Sequence, residues 1–237
     1  MKKLLTIIIV VLAVFLIYLG FKDENVYYLS IGDYLANGIN PYGTKDYGYS
    51  DYVKDYLNEN KKLEVFVSYV SNNKRTIDII KDIEDNVKIE VNGKKKTLQN
   101  ALIKADIITI SIGMNDLINN VEFNNDFGVN DLYNKLEQVI KDYESLFKIL
   151  REYCKEEIVL VGLYNTTGNN DLDEFFDYSN KKIAKIANSY NIDYISIYEE
   201  FKNNDYFINN SMYPNKLGYE VISNKIIDII DEKIIKK

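Results

Sequence analysis

Short apolar runs alternate with longer amphipathic segments along this chain, and this alternation constrains the fold more than any other feature. Runs rich in β-branched or aromatic residues predict buried strands at residues 26–31, 63–70, 106–112, 158–163 and 194–197. Apolar side chains spaced by three and four residues predict amphipathic helices over residues 130–153, 175–189 and 217–235. Strands that alternate with such helices form right-handed crossovers, so we expect a mostly parallel sheet covered by helices on both faces.

The first residues of the chain predict a membrane anchor. Residues 4–20 follow Lys2 and Lys3 without a single charge, and these seventeen residues reach the lower end of the length that spans a bilayer. A cleaved signal peptide is the alternative, but residues 16–22 are mostly bulky where cleavage requires small side chains. Because the lysines should stay inside, we predict a single-pass signal-anchor at residues 1–22 and one outward-facing domain at residues 23–237. Secretion after signal cleavage remains the alternative location.

The charge and the metal-binding residue types exclude several classes of function. A net charge of −7 argues against a nucleic-acid surface. The chain has no histidine and one cysteine, Cys154, which cannot form an internal disulfide. Without histidine, and with a single thiol, most transition-metal sites are excluded. We therefore expect neither a metal nor a cofactor.

Three short motifs carry the polar residues that a functional site would need. Gly32-Asp33-Tyr34 and Gly113-Met114-Asn115-Asp116 each follow a predicted strand, and Tyr213-Pro214-Asn215 precedes the last predicted helix. Open α/β sheets bind ligands beyond the C-terminal ends of their strands, which is where the first two motifs fall. The same residue types also serve backbone turns and helix caps, so a structural role is the simpler interpretation of each motif taken alone.

Taken together and in this order, the motifs resemble the blocks of the SGNH (GDSL-like) hydrolase superfamily. The first block of that superfamily usually reads Gly-Asp-Ser-Leu, the third Gly-x-Asn-Asp, and the fifth Asp-x-x-His-Pro-Asn. The resemblance covers nearly all of the chain from Val26 to about Ile230. It implies a three-layer αβα sandwich around a five-stranded, mostly parallel sheet of the flavodoxin-like kind.

The resemblance also assigns roles to individual positions. It places the nucleophile, the orienting acid and the base at Tyr34, Asn210 and Tyr213. The oxyanion would be held by the backbone N–H of position 34, by that of a second-block glycine, for which Asn73 is our best candidate, and by the amide of Asn115. The other positions of the oxyanion-hole remnant are Gly32, Asp33, Gly113 and Asp116.

None of the three triad positions keeps the residue that is usual in the superfamily. A phenol titrates near ~10, and without histidine only Asp33 or Asp116 could serve as its base. We therefore predict an inactive member, a pseudoenzyme that binds a cell-envelope carbohydrate or a protein partner. Two alternatives stay open. One is an active, divergent esterase or deacylase acting on envelope carbohydrate or lipid. The other is a protein-interaction module without a small-molecule site, in which the rings of Tyr34 and Tyr213 would fill the pocket.

Overall fold

The computed structural model describes residues 25–118, 129–165, 172–203, 205–208 and 211–236. The predicted membrane anchor at residues 1–22 and the predicted site residue Asn210 lie outside these ranges. Within them, no helix combines the length and the apolar character that a membrane-spanning segment requires.

A five-stranded parallel sheet forms the centre of the fold and confirms the predicted sheet. The strands, including those of a separate hairpin, are β1 (Val26–Gly32), β2 (Leu63–Val70), β3 (Lys88–Val91), β4 (Lys94–Thr97), β5 (Ile107–Ser111), β6 (Glu157–Val161) and β7 (Asp193–Ile195). The order across the sheet is β2-β1-β5-β6-β7, and each neighbouring pair is parallel. The chain steps from β1 out to β2 and then returns past β1 to β5. The switch point, where doubly wound folds bind ligands, therefore lies between β1 and β5.

Helices pack in two groups around this sheet. They are α1 (Tyr34–Asn37), α2 (Tyr49–Glu59), α3 (Thr76–Glu84), α4 (Leu98–Lys104), α5 (Met114–Ile118), α6 (Val129–Tyr153), α7 (Asp173–Ser189), α8 (Tyr198–Asn203) and α9 (Lys216–Ile230), which continues as a π-helical turn, Asp231–Ile235. Helix α2 packs against α9, whereas α6 packs against both α3 and α7. Every residue of β1 and of β5 is buried, because interior strands of a parallel sheet are covered on both faces.

Several element ends and one hairpin differ from the sequence prediction. The strands predicted at 158–163 and 194–197 are Glu157–Val161 and Asp193–Ile195, and the α-helix predicted over 217–235 ends at Ile230. The antiparallel hairpin of β3 and β4 has no counterpart among the predicted strands, because lysines replace the apolar residues that would mark one. Its turn, Asn92-Gly93, has φ of +49° and +72°, and this dipeptide is typical of a tight hairpin turn.

Candidate functional site

The first and second motifs meet at the C-terminal edge of the sheet, where β1 and β5 end side by side. Gly32 pairs with Ser111, and the backbone N–H of Asp33 donates to the Ser111 carbonyl oxygen at 3.0 Å. The φ of Gly32 is +147°, and a Cβ there would lie 2.0 Å from the Ser111 carbonyl oxygen. Only glycine fits so close a crossing, and it brings Asp33 and Asn115 to the same edge, where both are buried.

Tyr34, at the nucleophile position that the resemblance implies, is buried among other aromatic side chains. Its side chain is 2% exposed, and its ring meets the ring of Tyr213 edge to face with centroids 5.1 Å apart. The hydroxyl of Tyr34 lies 3.5 Å from the hydroxyl of Tyr164, which also contacts the Met212 carbonyl oxygen at 3.1 Å. Burial raises the pKa of Tyr34 well above its ordinary value. The phenol therefore stays protonated at neutral pH.

Tyr164 completes this aromatic cluster, and sequence reasoning does not identify it. It lies three residues beyond the end of β6, so a third strand delivers it to the same edge of the sheet. Its ring stacks on Phe207 and packs against Phe201, with centroids 5.5 and 5.1 Å apart. Its position just after a predicted strand is the one sequence feature that points to Tyr164, since neighbouring parallel strands end at one edge of the sheet. None of the three motifs includes this residue.

Asp33 caps the N-terminus of α1. Its Oδ1 accepts hydrogen bonds from the Leu35 backbone N–H at 3.1 Å and from the Ser111 hydroxyl at 3.3 Å. Burial raises the pKa of the Asp33 carboxyl to about 8, so at pH 7 it holds its proton. The protonated form, which predominates at pH 7, cannot accept the proton of a nucleophile, so Asp33 is a poor general base at that pH.

The side-chain amide of Asn115 forms hydrogen bonds with the backbone of the loop that follows β2. Its Nδ2 donates to the carbonyl oxygens of Asn72 and Lys74, each at 2.8 Å. A side-chain amide carries two N–H donors, and these two bonds use both. In this arrangement Asn115 has no donor left for an oxyanion. Asn73 lies between its two partners and is exposed.

Asp116 and Gly113 also have structural partners. Asp116 accepts from the backbone N–H of Thr76 at 3.0 Å and from the Thr76 hydroxyl at 3.2 Å, so it holds the first residue of α3. Burial raises the pKa of Asp116 to about 6. Gly113 has φ of +106°, and a Cβ there would lie 2.2 Å from the Tyr143 hydroxyl. Glycine is needed here because a β-carbon would collide with that ring.

The structure thus brings most of the predicted site residues that it describes to one edge of the sheet. Tyr213 and Tyr164 each contact Tyr34, and these three side chains form a filled centre beside Asp33. Asn115 and Asp116 hold the neighbouring loop. Asn210 lies outside the described residues. Within the described part of the chain, no group of three or more acidic or cysteine side chains could hold a metal ion.

Comparison with known proteins agrees with this geometry. A family model described as the GDSL-like lipase/acylhydrolase family matches residues 30–221. The lipase Lip_vut3 from a goat rumen metagenome shares the fold with a TM-score of 0.72 and 21% identity, over 85% of this chain and 95% of that one. The acetylxylan esterase Axe2 from Geobacillus stearothermophilus gives a TM-score of 0.63 and 17% identity, over 86% and 93% of the two chains. No curated protein matches the sequence.

The family match covers most of the chain and includes the three motifs that meet at the edge of the sheet. The two solved structures add the same layered α/β fold, over nearly the whole of their own lengths. Motifs, topology and family match thus agree, and the chain belongs to the GDSL-like lipase/acylhydrolase family.

Proposed function

We propose that this chain is an inactive member of its family, a pseudoenzyme that binds a cell-envelope carbohydrate at the outer face of the membrane and does not hydrolyse acyl esters. The observation that carries the proposal is the buried phenol of Tyr34 at the nucleophile position. A nucleophile has to reach the acyl carbon of a substrate and lose its proton. A side chain enclosed by Tyr213 and Tyr164 meets neither requirement.

The absence of a base supports the same proposal. The chain contains no histidine, burial raises the pKa of Asp33 to about 8 so that the protonated form predominates at pH 7, and the carboxylate of Asp116 bonds to Thr76. General base catalysis contributes about 10²–10⁴-fold to such reactions. A triad works as a unit, so an isolated phenol inherits little of its rate advantage.

The hydrogen bonds of Asn115 also remove the contribution that its amide would make to an oxyanion hole. An oxyanion-hole donor has to point at the place where negative charge develops, and losing one such donor costs about 10²–10³-fold in rate. Here the two amide N–H groups of Asn115 point at the carbonyl oxygens of Asn72 and Lys74. Any substrate would have to break these bonds before it gained the donor.

A carbohydrate ligand is supported by one of the similar structures and by the aromatic composition. Axe2 is named as an acetylxylan esterase, so this fold accommodates a substituted polysaccharide in at least one protein. The chain carries 21 tyrosines, whose rings suit contact with sugar rings and whose hydroxyls form hydrogen bonds. A protein partner is the other ligand class consistent with an inactive member.

Ester hydrolysis tests the proposal. We expect the full chain, purified in detergent, to hydrolyse p-nitrophenyl acetate no faster than its Asn115→Ala variant, because the oxyanion donor of Asn115 is not in use. Asn73→Ala serves as the matched control, since it changes an exposed side chain of the same loop and keeps the backbone N–H that the resemblance assigns to position 73. The triple variant Tyr34→Ser, Asn210→Asp, Tyr213→His should gain turnover if it folds. Turnover by the natural chain that disappears in Asn115→Ala but persists in Asn73→Ala would instead identify an active, divergent esterase.

The membrane location is tested separately on whole cells. The uncharged run at residues 4–20 behind Lys2 and Lys3 should keep the chain in the membrane pellet after alkaline carbonate extraction. Protease added to intact cells should then degrade the domain, because it faces outward. Release into the culture medium would favour signal cleavage, and a pelleted domain that resists protease would place it on the inner side.

A further inference from the structure

A groove of about 310 Å³ opens beside the filled centre, between the loop at residues 39–47 and the start of α9. Its lining includes Asn40, Asp46, Tyr47, Tyr52, Pro214 and Lys216. Ligand pockets have volumes of about 300–1,000 Å³, so the groove could enclose one small ring or the end of a chain. None of the triad-equivalent residues that the structure describes lines it.

The loop that forms one wall of the groove is held in place by its own hydrogen bonds. The Asn40 side-chain oxygen accepts from the backbone N–H groups of Tyr42 and Thr44 at 3.0 and 3.2 Å, and from the Thr44 hydroxyl at 3.0 Å. The Tyr219 hydroxyl donates to the Ile39 carbonyl oxygen at 2.8 Å, which ties the base of the loop to α9. A wall fixed before binding lowers the ordering cost that a ligand would otherwise meet.

Aromatic rings form the apolar part of the groove. Tyr47 is 37% exposed, and its ring meets that of Tyr52 edge to face with centroids 4.7 Å apart. Tyr42, in the same loop, is 77% exposed. Exposed aromatic side chains beside a concave surface favour binding, because their burial against a ligand removes a large apolar area from water.

The charged groups of the groove argue against an anionic ligand. Asp46 accepts from the Tyr47 backbone N–H at 2.9 Å and from the Asn40 side chain at 3.4 Å, and a carboxylate has about four acceptor positions. Lys216 forms an ion pair with Glu220 at 3.7 Å. One acid and one partnered lysine give no net attraction for a phosphate. The acceptors of Asp46 suit the hydroxyls of a polyol.

We propose that this groove binds a neutral oligosaccharide, with one sugar ring against Tyr47 and Tyr52 and its hydroxyls bonded to Asp46 and Asn40. The inference rests on the proposed function, since it specifies where an inactive member holds its carbohydrate. The binding surface is then distinct from the filled centre, because Tyr34, Tyr164 and Tyr213 are not among the residues that line the groove. Binding and ester chemistry become separable properties.

Calorimetric titration of the full chain tests this inference, with a detergent that carries no sugar. The probes are the tetramer of N-acetylglucosamine and the tetramer of xylose. We expect at least one to bind, and Tyr47→Ala to weaken its affinity by about tenfold or more, because the variant removes an aromatic anchor. Asp46→Ala should weaken the same probe, since it removes the acceptor for the sugar hydroxyls.

Tyr178→Ala is the matched control for Tyr47→Ala. Tyr178 is 40% exposed, its ring meets Tyr133 edge to face at 5.6 Å, and Lys182 lies over it at 5.1 Å. Tyr47 has matching contacts: its ring meets Tyr52 edge to face, and Lys54 lies over its ring at 5.7 Å. The control should bind as the natural chain does. If neither probe binds at about 10 mM, or if the two tyrosine variants weaken binding equally, the groove is not the carbohydrate-binding site. Ester turnover by the natural chain would instead overturn the proposed function, whatever the groove binds.

Discussion

Replacing Tyr34 by alanine is expected to lower the free energy of unfolding by about 3–5 kcal/mol, the range for truncating a buried aromatic side chain. The ring of Tyr34 fills the position where the resemblance places a serine, and its packing against Tyr213 is lost on truncation. The change leaves a cavity beside Tyr213 and Tyr164, which the surrounding side chains can fill only in part. Urea unfolding of the full chain in detergent, followed by circular dichroism, measures the loss.

Two further variants separate packing from hydrogen bonding. Tyr34→Phe keeps the ring and removes only a hydroxyl whose contact to Tyr164 is long, at 3.5 Å, so it should cost less than about 1 kcal/mol. Tyr42→Ala truncates a tyrosine that is 77% exposed and should change stability by no more than about 0.5 kcal/mol. A Tyr34→Ala variant as stable as Tyr42→Ala would mean that the centre is not filled, and the argument from the buried phenol would fail with it.

The same packing decides how the catalytic reversion is interpreted. Tyr34→Ser inserts the usual nucleophile but also leaves most of the cavity of Tyr34→Ala. Asn115 meanwhile keeps its bonds to Asn72 and Lys74. A folded but slow triple variant is therefore expected to improve when the loop that holds Asn115 is loosened, and an unfolded one says nothing about chemistry. Stability has to be measured beside turnover.

Much of the fold could be predicted from the sequence, because each strand of the sheet interior is a short run of β-branched or aromatic residues. The strand predicted at residues 63–70 is Leu63–Val70, and the helix predicted over 130–153 is Val129–Tyr153. The helices α1 to α5 and α8 have no counterpart among the predicted ones, since most of them are short and depend on packing and caps. The caps include Asp116 on α3, a contact between residues 40 positions apart.

The location of the candidate site could be predicted from the sequence, but the hydrogen bonds and packing of its side chains could not. Gly32, Asp33 and Asn115 follow strands, and parallel strands place such residues at one edge. The side chain of Asn115 could point at a ligand or at the loop, and only the loop conformation around Asn72 decides between them. Tyr164 could not be identified, because its role depends on the packing of Tyr34 and Phe207 and on no local pattern.

Replacing Asp33 by asparagine is expected to remove most of the pH dependence of stability between pH 6 and 8. Burial raises the pKa of Asp33 to about 8 in the folded chain, against about 3.9 for an unperturbed aspartate. Between these values the folded state holds one proton more than the unfolded state. Stability therefore falls as the pH rises, by about 1.4 kcal/mol per unit while the difference is complete. Above the folded pKa both states are ionised, and the decline stops.

The window from pH 6 to 8 isolates this group because the chain contains no histidine, the side chain that usually titrates there. The natural chain should lose about 2 kcal/mol across the window. The amide that replaces the carboxyl has no proton to lose, so the stability of Asp33→Asn should stay nearly level. The amide oxygen can still accept from the Leu35 N–H and the Ser111 hydroxyl, the bonds that the carboxyl makes. The cap of α1 is therefore kept.

Asp116→Asn is the matched control, since Asp116 is the other carboxyl of the site with a raised pKa, at about 6. The sign is the same, but its contribution is lost between about pH 4 and 6, so the variant should keep the decline from pH 6 to 8. Urea midpoints measured at half-unit intervals distinguish the two carboxyls. An Asp33→Asn variant that still loses about 2 kcal/mol between pH 6 and 8 would show that Asp33 is ionised in the folded chain. The Asp33 carboxylate would then be available as a base beside Tyr34, and the case against residual ester hydrolysis would weaken accordingly.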